Sequence, residues 1–236
     1  MRLPSMPIIE AVLFDFGGTL DADGIRWATR FHEAYRLAGG TADLPSFEVV
    51  FRESDRRLRE QPGIGRLGFR AMVDLQADLL GPLLPDGGQV SAQRMADRFH
   101  AEALAMVGRN SVLLARLAER WPLGIISNFT GNLARCLEEL HLLQHFGVVL
   151  DSAVVGREKP DPGLFELALA SLRSMPGGTW MVGDNPEADI RPALSLGMSG
   201  CWLTQRTRPA PPGLMPTARI ASLLELEPAL EARCRH

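Results

Sequence analysis

An α/β fold, with a mostly parallel sheet covered by helices on both faces and an all-helical insertion near the amino terminus, is predicted from three observations. Apolar, strand-like runs alternate with helical segments from Asn110 to the carboxyl end. The stretch from Ile25 to Val107 shows helical periodicity and no convincing strand. One apolar run, Ile8 to Phe14, stands alone before it. Strands that alternate with helices of roughly ten to fifteen residues read as crossover units, which pair their strands in parallel and bury both sheet faces.

The first run is rich in Val, Ile and Phe and breaks at Asp15 into a Phe16-Gly17-Gly18-Thr19 turn, the pattern of a buried strand closed by a turn. The two glycines leave backbone amides that an anion can approach closely. In the insertion, RWATRFHEAYRLAG, SFEVVFRESDRRLRE, RLGFRAMVDLQADLLG and SAQRMADRFHAEALAMV each place apolar residues three and four apart. Ser46 and Ser91 are expected N-caps, and Gly39-Gly40 and Gly81-Pro82 expected stops. Beyond it the order is helix Val112–Arg120, strand Leu123–Asn128, helix Gly131–Leu140, a strand within Val148–Gly156 and a helix from Asp161 to about Leu172. Strand Thr179–Asp184, helix Pro186–Leu196 and strand Gly200–Thr204 follow, then a Pro-rich surface loop, Arg208–Pro216, and a short strand with a closing helix.

With 236 residues, 46% hydrophobic and 22% charged, the chain has the composition of a globular enzyme with a sizeable core. A net charge of −3 gives no electrostatic footprint for nucleic acid or an anionic membrane. No run reaches the roughly 18 apolar residues of a membrane span, and the first residues lack the apolar core of a signal peptide, so a cytoplasmic protein is expected. Cys136, Cys201 and Cys234 form neither a disulfide framework nor a zinc spacing. Of 25 basic residues only Lys159 is lysine. Codon bias alone would favour arginine throughout; against that bias a retained lysine is a candidate for a position that uses a compact ammonium, and Lys159 counts as one because of where it lies.

Four strand ends carry four kinds of polar group: Asp15; Ser127-Asn128; Arg157-Glu158-Lys159-Pro160-Asp161; and Gly183-Asp184-Asn185-Pro186-Glu187-Ala188-Asp189. A parallel sheet brings these to one edge, at its switch point. Together they suit phosphoryl transfer, with a metal bridging Asp15 and Asp184 while Ser127 and Lys159 hold the non-bridging oxygens.

In order, FDFGGTL, ISN, KPDP and VGDNPEAD resemble the four motifs of the haloacid dehalogenase superfamily, in the branch with a helical cap inserted after the first strand. The resemblance implies a Rossmann-like core over residues 1–21 and 108–236 with a cap over 22–107. It implies that Asp15 is a nucleophile forming an aspartyl-phosphate, that Ser127 hydrogen-bonds the phosphoryl group and that Lys159 neutralises both. Gly18, Thr19 and Asn128 would complete the phosphate-binding set. Asp184 would bind Mg²⁺ with the Gly17 carbonyl, and Asp189 would ligate it or orient the ligands. The implied partner is a small phosphorylated metabolite.

One departure matters. Most phosphatases of this family carry a second Asp where this chain has Gly17, and that Asp is the general acid/base. A positioned acid/base contributes about 10²–10⁴-fold, or roughly 3–5 kcal/mol of barrier. Three readings follow: a phosphatase for good leaving groups or with an acid from the cap or from water; a dehalogenase- or phosphonate-cleaving relative; or a weakly active or inactive member kept for binding. The dehalogenases work without a metal, so the presence of both Asp184 and Asp189 favours phosphoryl chemistry. Asp21 and Asp23 are alternative acids or solvated hinge residues.

Gly63-Ile64-Gly65-Arg66-Leu67-Gly68 matches a dinucleotide fingerprint but follows a charged helix rather than a strand, so a flexible loop is expected. Arg66 is a candidate for meeting an anionic substrate group when the cap closes, the alternative being a plain surface turn. His32, beside Tyr35, is the other candidate for substrate contact. His100, His141, His145 and His236 show no ligand set. Arg52, Arg56, Arg57 and Arg59, interleaved with acids, read as a solvated helix face.

Overall fold

The computed structural model describes residues 8–233; Cys234 and His236 lie outside them. Strands β1 (Ala11–Phe14), β2 (Leu123–Ser127), β3 (Val148–Asp151), β4 (Thr179–Gly183), β5 (Ser199–Leu203) and β6 (Ala218–Ile220) form one sheet in the order β3-β2-β1-β4-β5-β6. Every pairing is parallel. From β1 the chain winds outward through β2 and β3, then crosses to β4, so the order reverses beside β1. Phe14 pairs with Ile125 on one side and Val182 on the other, which brings three strand ends level.

Side chains alternate between two buried faces, as the two-residue period of a strand requires. Leu13, Ile126 and Met181 face one cluster, with α7 (Pro162–Leu172) and α8 (Arg191–Ser195) supplying Phe165 and Ala193. Val12, Phe14, Ile125 and Val182 face the other, which continues without a break into the helical insertion. The insertion is built from α1 (Trp27–Leu37), α2 (Leu44–Arg59), α3 (Phe69–Leu80) and α4 (Ala92–Ala118). Its interior is aromatic, with Phe31 stacked on Phe99 at 4.3 Å between centroids. The remaining helices are α5 (Leu133–Glu139), the single turn α6 (Ser152–Val155) and α9 (Leu226–Arg233). Among the described residues no helix is long and apolar enough to cross a membrane.

Several boundaries differ from the expectation. Helix α2 starts two residues before Ser46, because Asp43 accepts the Ser46 amide at 2.9 Å and Pro45 suits the first turn. Ser91 caps α4 as expected, accepting from the Arg94 amide. The helical segments expected to end at Val107 and to begin at Val112 are one helix, α4, of 27 residues running through Gly108. A lone glycine costs a helix about 1 kcal/mol, and here Met95, Phe99, Ala103, Val107, Asn110, Leu114 and Leu117 make one buried stripe across it. The helix expected over Pro186–Leu196 is a π-helical turn, Pro186–Ile190, followed by the short α8.

Asp21 and Asp23 are structural groups rather than solvated hinge residues. Asp21 is 1% exposed and accepts from the Gly18 amide (2.7 Å), the Trp27 indole (2.8 Å) and Arg30 (2.7 Å). Arg30 in turn donates to the Phe99 carbonyl and lies over the Phe99 ring. Burial pushes the Asp21 carboxyl up, and Arg30 with the three N–H donors opposes that shift. Asp23 joins Arg109 to the Leu223 amide. Removing one partner of a buried pair strands the other charge, at a cost of about 3–5 kcal/mol. Asp21→Ala is therefore expected to lose about that much unfolding free energy, and the Asp21→Leu/Arg30→Leu pair clearly less. Urea denaturation checks this, and an unchanged midpoint in Asp21→Ala would refute it.

Candidate active site

Asp15 extends β1 by one residue, its amide bonded to the Val182 carbonyl at 2.9 Å. The chain then turns sharply, with Gly18 at φ +87°, and a β-carbon at residue 18 would stand 3.0 Å from the Asp184 carboxylate. Thr19, fully buried, reaches Asp184 Oδ1 at 3.4 Å. From the end of β2, Ser127 Oγ donates to Asp15 Oδ1 at 2.9 Å. The loop beyond is pinned by Asp151, whose carboxylate accepts the amides of Gly131, Leu133 and Ala153.

Lys159 comes from the loop after α6. Its Nζ sits 2.7 Å from Asp15 Oδ1 and 2.6 Å from Asp189 Oδ1, and the residue is 5% exposed. Asn128 holds it there: the Asn128 amide donates to the Lys159 carbonyl (2.9 Å) and accepts the Lys159 amide (2.7 Å). Asn128 thus lines the pocket, but its side chain is engaged in fixing the lysine rather than turned to a phosphate. Past β4, Asp184 is buried and its carbonyl accepts the Trp202 indole at 3.0 Å. Asp189 lies on the π-helical turn. Its Oδ2 accepts the Asn185 amide at 3.0 Å, and its carboxylate crosses so close to Gly183 that no side chain fits there.

Asp15, Asp184 and Asp189 each offer a carboxylate oxygen within 4.8 Å of the others, all buried. Hard, anionic oxygens around one point fit Mg²⁺ by type and charge. The electrostatics agree. Burial, with the charges of Asp15 and Asp189, pushes Asp184 well above the usual carboxylate range. Burial raises Asp189 to about 6 against the pull of Lys159. Burial alone would lower Lys159, yet Asp15 and Asp189 hold it above its ordinary value. One ammonium does not balance three carboxylates.

A pocket of about 250 Å³ opens over this cluster. Its floor includes Asp15, Gly17, Ser127 and Lys159, and its far wall is the insertion, including Trp27, Asp55, Arg59 and Met72. Arg66 and His32 are not brought to it. Arg66 is exposed on a 3₁₀ turn, and the His32 ring bonds the Ala42 carbonyl at 3.0 Å and packs on Phe47. Arg59 takes the place expected of them. Its i,i+4 pairing with Asp55 is present at 3.1 Å, but that pair lies beside the buried stripe of Phe51 and Leu58, the phase that could have shown it lining the pocket. At Gly17 a β-carbon would stand 3.2 Å from the Trp27 indole nitrogen, a tight contact that requires the indole to shift by a few tenths of an ångström.

A family model described as haloacid dehalogenase-like hydrolase matches residues 9–197. A phosphoserine phosphatase of Thermus thermophilus is 38% identical over 239 aligned residues, covering 95% of this chain and 93% of the relative. A ribulose-1,5-bisphosphate 5-phosphatase of Halopiger xanaduensis is 35% identical over 198, covering 80% and 82%. Among solved structures, a 2-haloacid dehalogenase of Pseudomonas syringae superposes with a TM-score of 0.54 at 26% identity, over 95% of this chain and 99% of the other. The magnesium-bound YfnB of Bacillus subtilis superposes at 0.61 and 21% identity, over 94% and 99%, a likeness of fold.

The carboxylate cluster generates a pH dependence. Asp189 keeps its proton up to about 6 in the folded protein, against an ordinary 3.8. Where the folded state binds more protons than the unfolded, stability falls as pH rises through that window. A divalent cation competes with the same proton. Added Mg²⁺ should therefore raise the melting temperature more at about pH 7.5 than at about pH 5; an equal gain at both would count against a cation at these carboxylates.

Proposed function

The chain belongs to the haloacid dehalogenase-like hydrolase family, and we propose that it is a magnesium-dependent phosphohydrolase that cleaves a small phosphate ester or anhydride through an aspartyl-phosphate on Asp15. The observation that carries this reading is the convergence of Lys159 Nζ and Ser127 Oγ on one oxygen of Asp15, beside the buried carboxylates of Asp184 and Asp189. The relatives named as phosphatases support it.

In this reading Asp15 Oδ2, the oxygen that Lys159 and Ser127 leave open, attacks phosphorus in line. The Asp15–phosphorus bond forms as the bond to the leaving oxygen breaks, and that oxygen departs with the electron pair. Lys159 and Ser127 then face the charge on the non-bridging oxygens. Water attacks the phosphorus in the second step, which restores the Asp15 carboxylate and releases inorganic phosphate. Bound Mg²⁺, held by Asp15, Asp184, Asp189 and the Gly17 carbonyl, would supply charge neutralisation and orientation. Gly17 offers no acid, so the leaving oxygen takes its proton from water or leaves without one. The matching setting is a cytoplasmic enzyme with a small metabolite as partner, its core spanning residues 1–21 and 108–236 and its cap residues 22–107. Gly17 also sustains a second reading, a dehalogenase-like attack of Asp15 on carbon, which the 26%-identical dehalogenase structure supports.

Release of p-nitrophenol and acetate from p-nitrophenyl phosphate and acetyl phosphate is expected to need Mg²⁺ and to fall by about 10³-fold or more in Asp15→Asn. Release that survives both chelation and Asp15→Asn would overturn the proposal. Halide release from 2-haloacids without added metal would establish the second reading instead.

The crowding at Gly17 makes a separate prediction. Gly17→Asp alone should change kcat by less than about threefold, because the indole crowds the new β-carbon and turns the carboxylate from its productive position. Combining it with Trp27→Leu should raise kcat on poor leaving groups by about tenfold or more, within the range of a positioned acid/base. A large gain in Gly17→Asp alone would show that Trp27 is no obstacle.

A further inference from the structure

The insertion turns three charged side chains toward the pocket: Arg26, Asp55 and Arg59. Arg26 is exposed and reaches Glu48 at 3.3 Å, outside the pocket. Arg59 is also exposed, its side chain 38% accessible, but its contacts differ. Asp55, one helical turn earlier, accepts from its Nε at 3.1 Å. Of its terminal nitrogens, Nη1 makes one long contact, 3.5 Å, with the Phe129 carbonyl, and no contact of Nη2 appears among the described residues. A guanidinium anchored through Nε presents its two terminal nitrogens as a planar fork, the shape that matches a carboxylate or phosphate. Phe129 is two residues beyond Ser127, so the fork stands against the same loop that holds the nucleophile.

The apolar part of the lining includes Trp27, Leu58, Met72 and Phe129. The pocket thus combines the Asp15–Lys159 pair, the Arg59 fork with its Asp55 partner, and apolar side chains. At about 250 Å³ it suits a leaving group of a few heavy atoms. A neutral leaving group would desolvate the fork without giving it a partner, which disfavours binding.

Resting on the phosphohydrolase reading above, we propose that Arg59 is the specificity-determining residue and that the substrate's leaving group carries a second anionic group, a carboxylate or a phosphate, which this fork binds. Asp55 sets the fork's orientation. The Arg59–Asp55 pair lines the pocket from the insertion.

The test is the ratio of kcat/KM within matched pairs of monoesters. 3-Phosphoglycerate against glycerol 3-phosphate asks for a carboxylate; propane-1,3-diol bisphosphate against its monophosphate asks for a phosphate. Wild type should prefer the anionic member of one pair by about ten- to hundredfold, the scale of a charge-assisted contact, and that pair identifies the anion. Arg59→Ala should abolish the preference, chiefly through KM, and Arg59→Lys should keep part of it. A preference that persists in Arg59→Ala, or is absent from wild type in both pairs, overturns the proposal while Mg²⁺-dependent hydrolysis of p-nitrophenyl phosphate leaves the phosphohydrolase reading standing. An enzyme that hydrolyses none of these esters overturns both.

Discussion

A single ammonium set among buried carboxylates is the constraint on which this structure depends. Lys159 lies between Asp15 and Asp189, with Asp184 beside them, and all four are almost fully removed from water. Such a cluster is costly to assemble, and it persists only where geometry is over-determined. The over-determination is visible. Asn128 fixes the lysine backbone from the neighbouring strand end, the Asn185 amide holds Asp189, and Trp202 holds the Asp184 carbonyl. Each anchor comes from a different strand end or from β5, and the parallel sheet with its order reversal beside β1 is what brings them to one place.

Much of this was legible in the sequence. The strand ends could be read because a carboxylate or hydroxyl directly after an apolar run has one position available in a parallel sheet, at its carboxyl edge. Lys159 stood out for a chemical reason, as the one compact ammonium in an arginine-rich chain. The wall opposite was harder. Arg59 lies on the exposed helix face that the charge pattern predicts, and what that pattern does not report is that the same side chain also lines the pocket. His32 is near the loop in sequence and Arg66 sits at a helix start. Neither property reports direction, and the ring of one and the exposure of the other resolve the choice. Asn128 shows the reverse problem, an amide well placed for a ligand but already engaged by a backbone that no local pattern reveals.

The turn after β1 joins the two parts of the molecule. Gly17 and Gly18 are small for different reasons, one because Trp27 lies across it and the other because its backbone is left-handed against Asp184. Trp27 is held by Asp21, Asp21 by Arg30, and Arg30 by the carbonyl and ring of Phe99. Residue 17 is therefore coupled, through an aromatic and a buried ion pair, to the interior of the helical insertion. The identity of residue 17 is a property of that whole network.

Helix α4 has a consequence for how such chains exchange parts. It begins in the insertion at Ala92 and ends at Ala118, one turn or so before β2, with Asn110, two turns or so before its end, hydrogen-bonded to the Leu20 carbonyl. One of the two covalent links between insertion and sheet is thus a rod rather than a loop. Recombination that swapped in a foreign helical insertion would need to join α4 in helical phase, because a shift of one residue rotates every later side chain by about 100° and turns Leu114 and Leu117 away from the sheet. Insertions in this architecture can therefore diversify freely in sequence and loop length, while the seam at this helix admits changes only by whole turns.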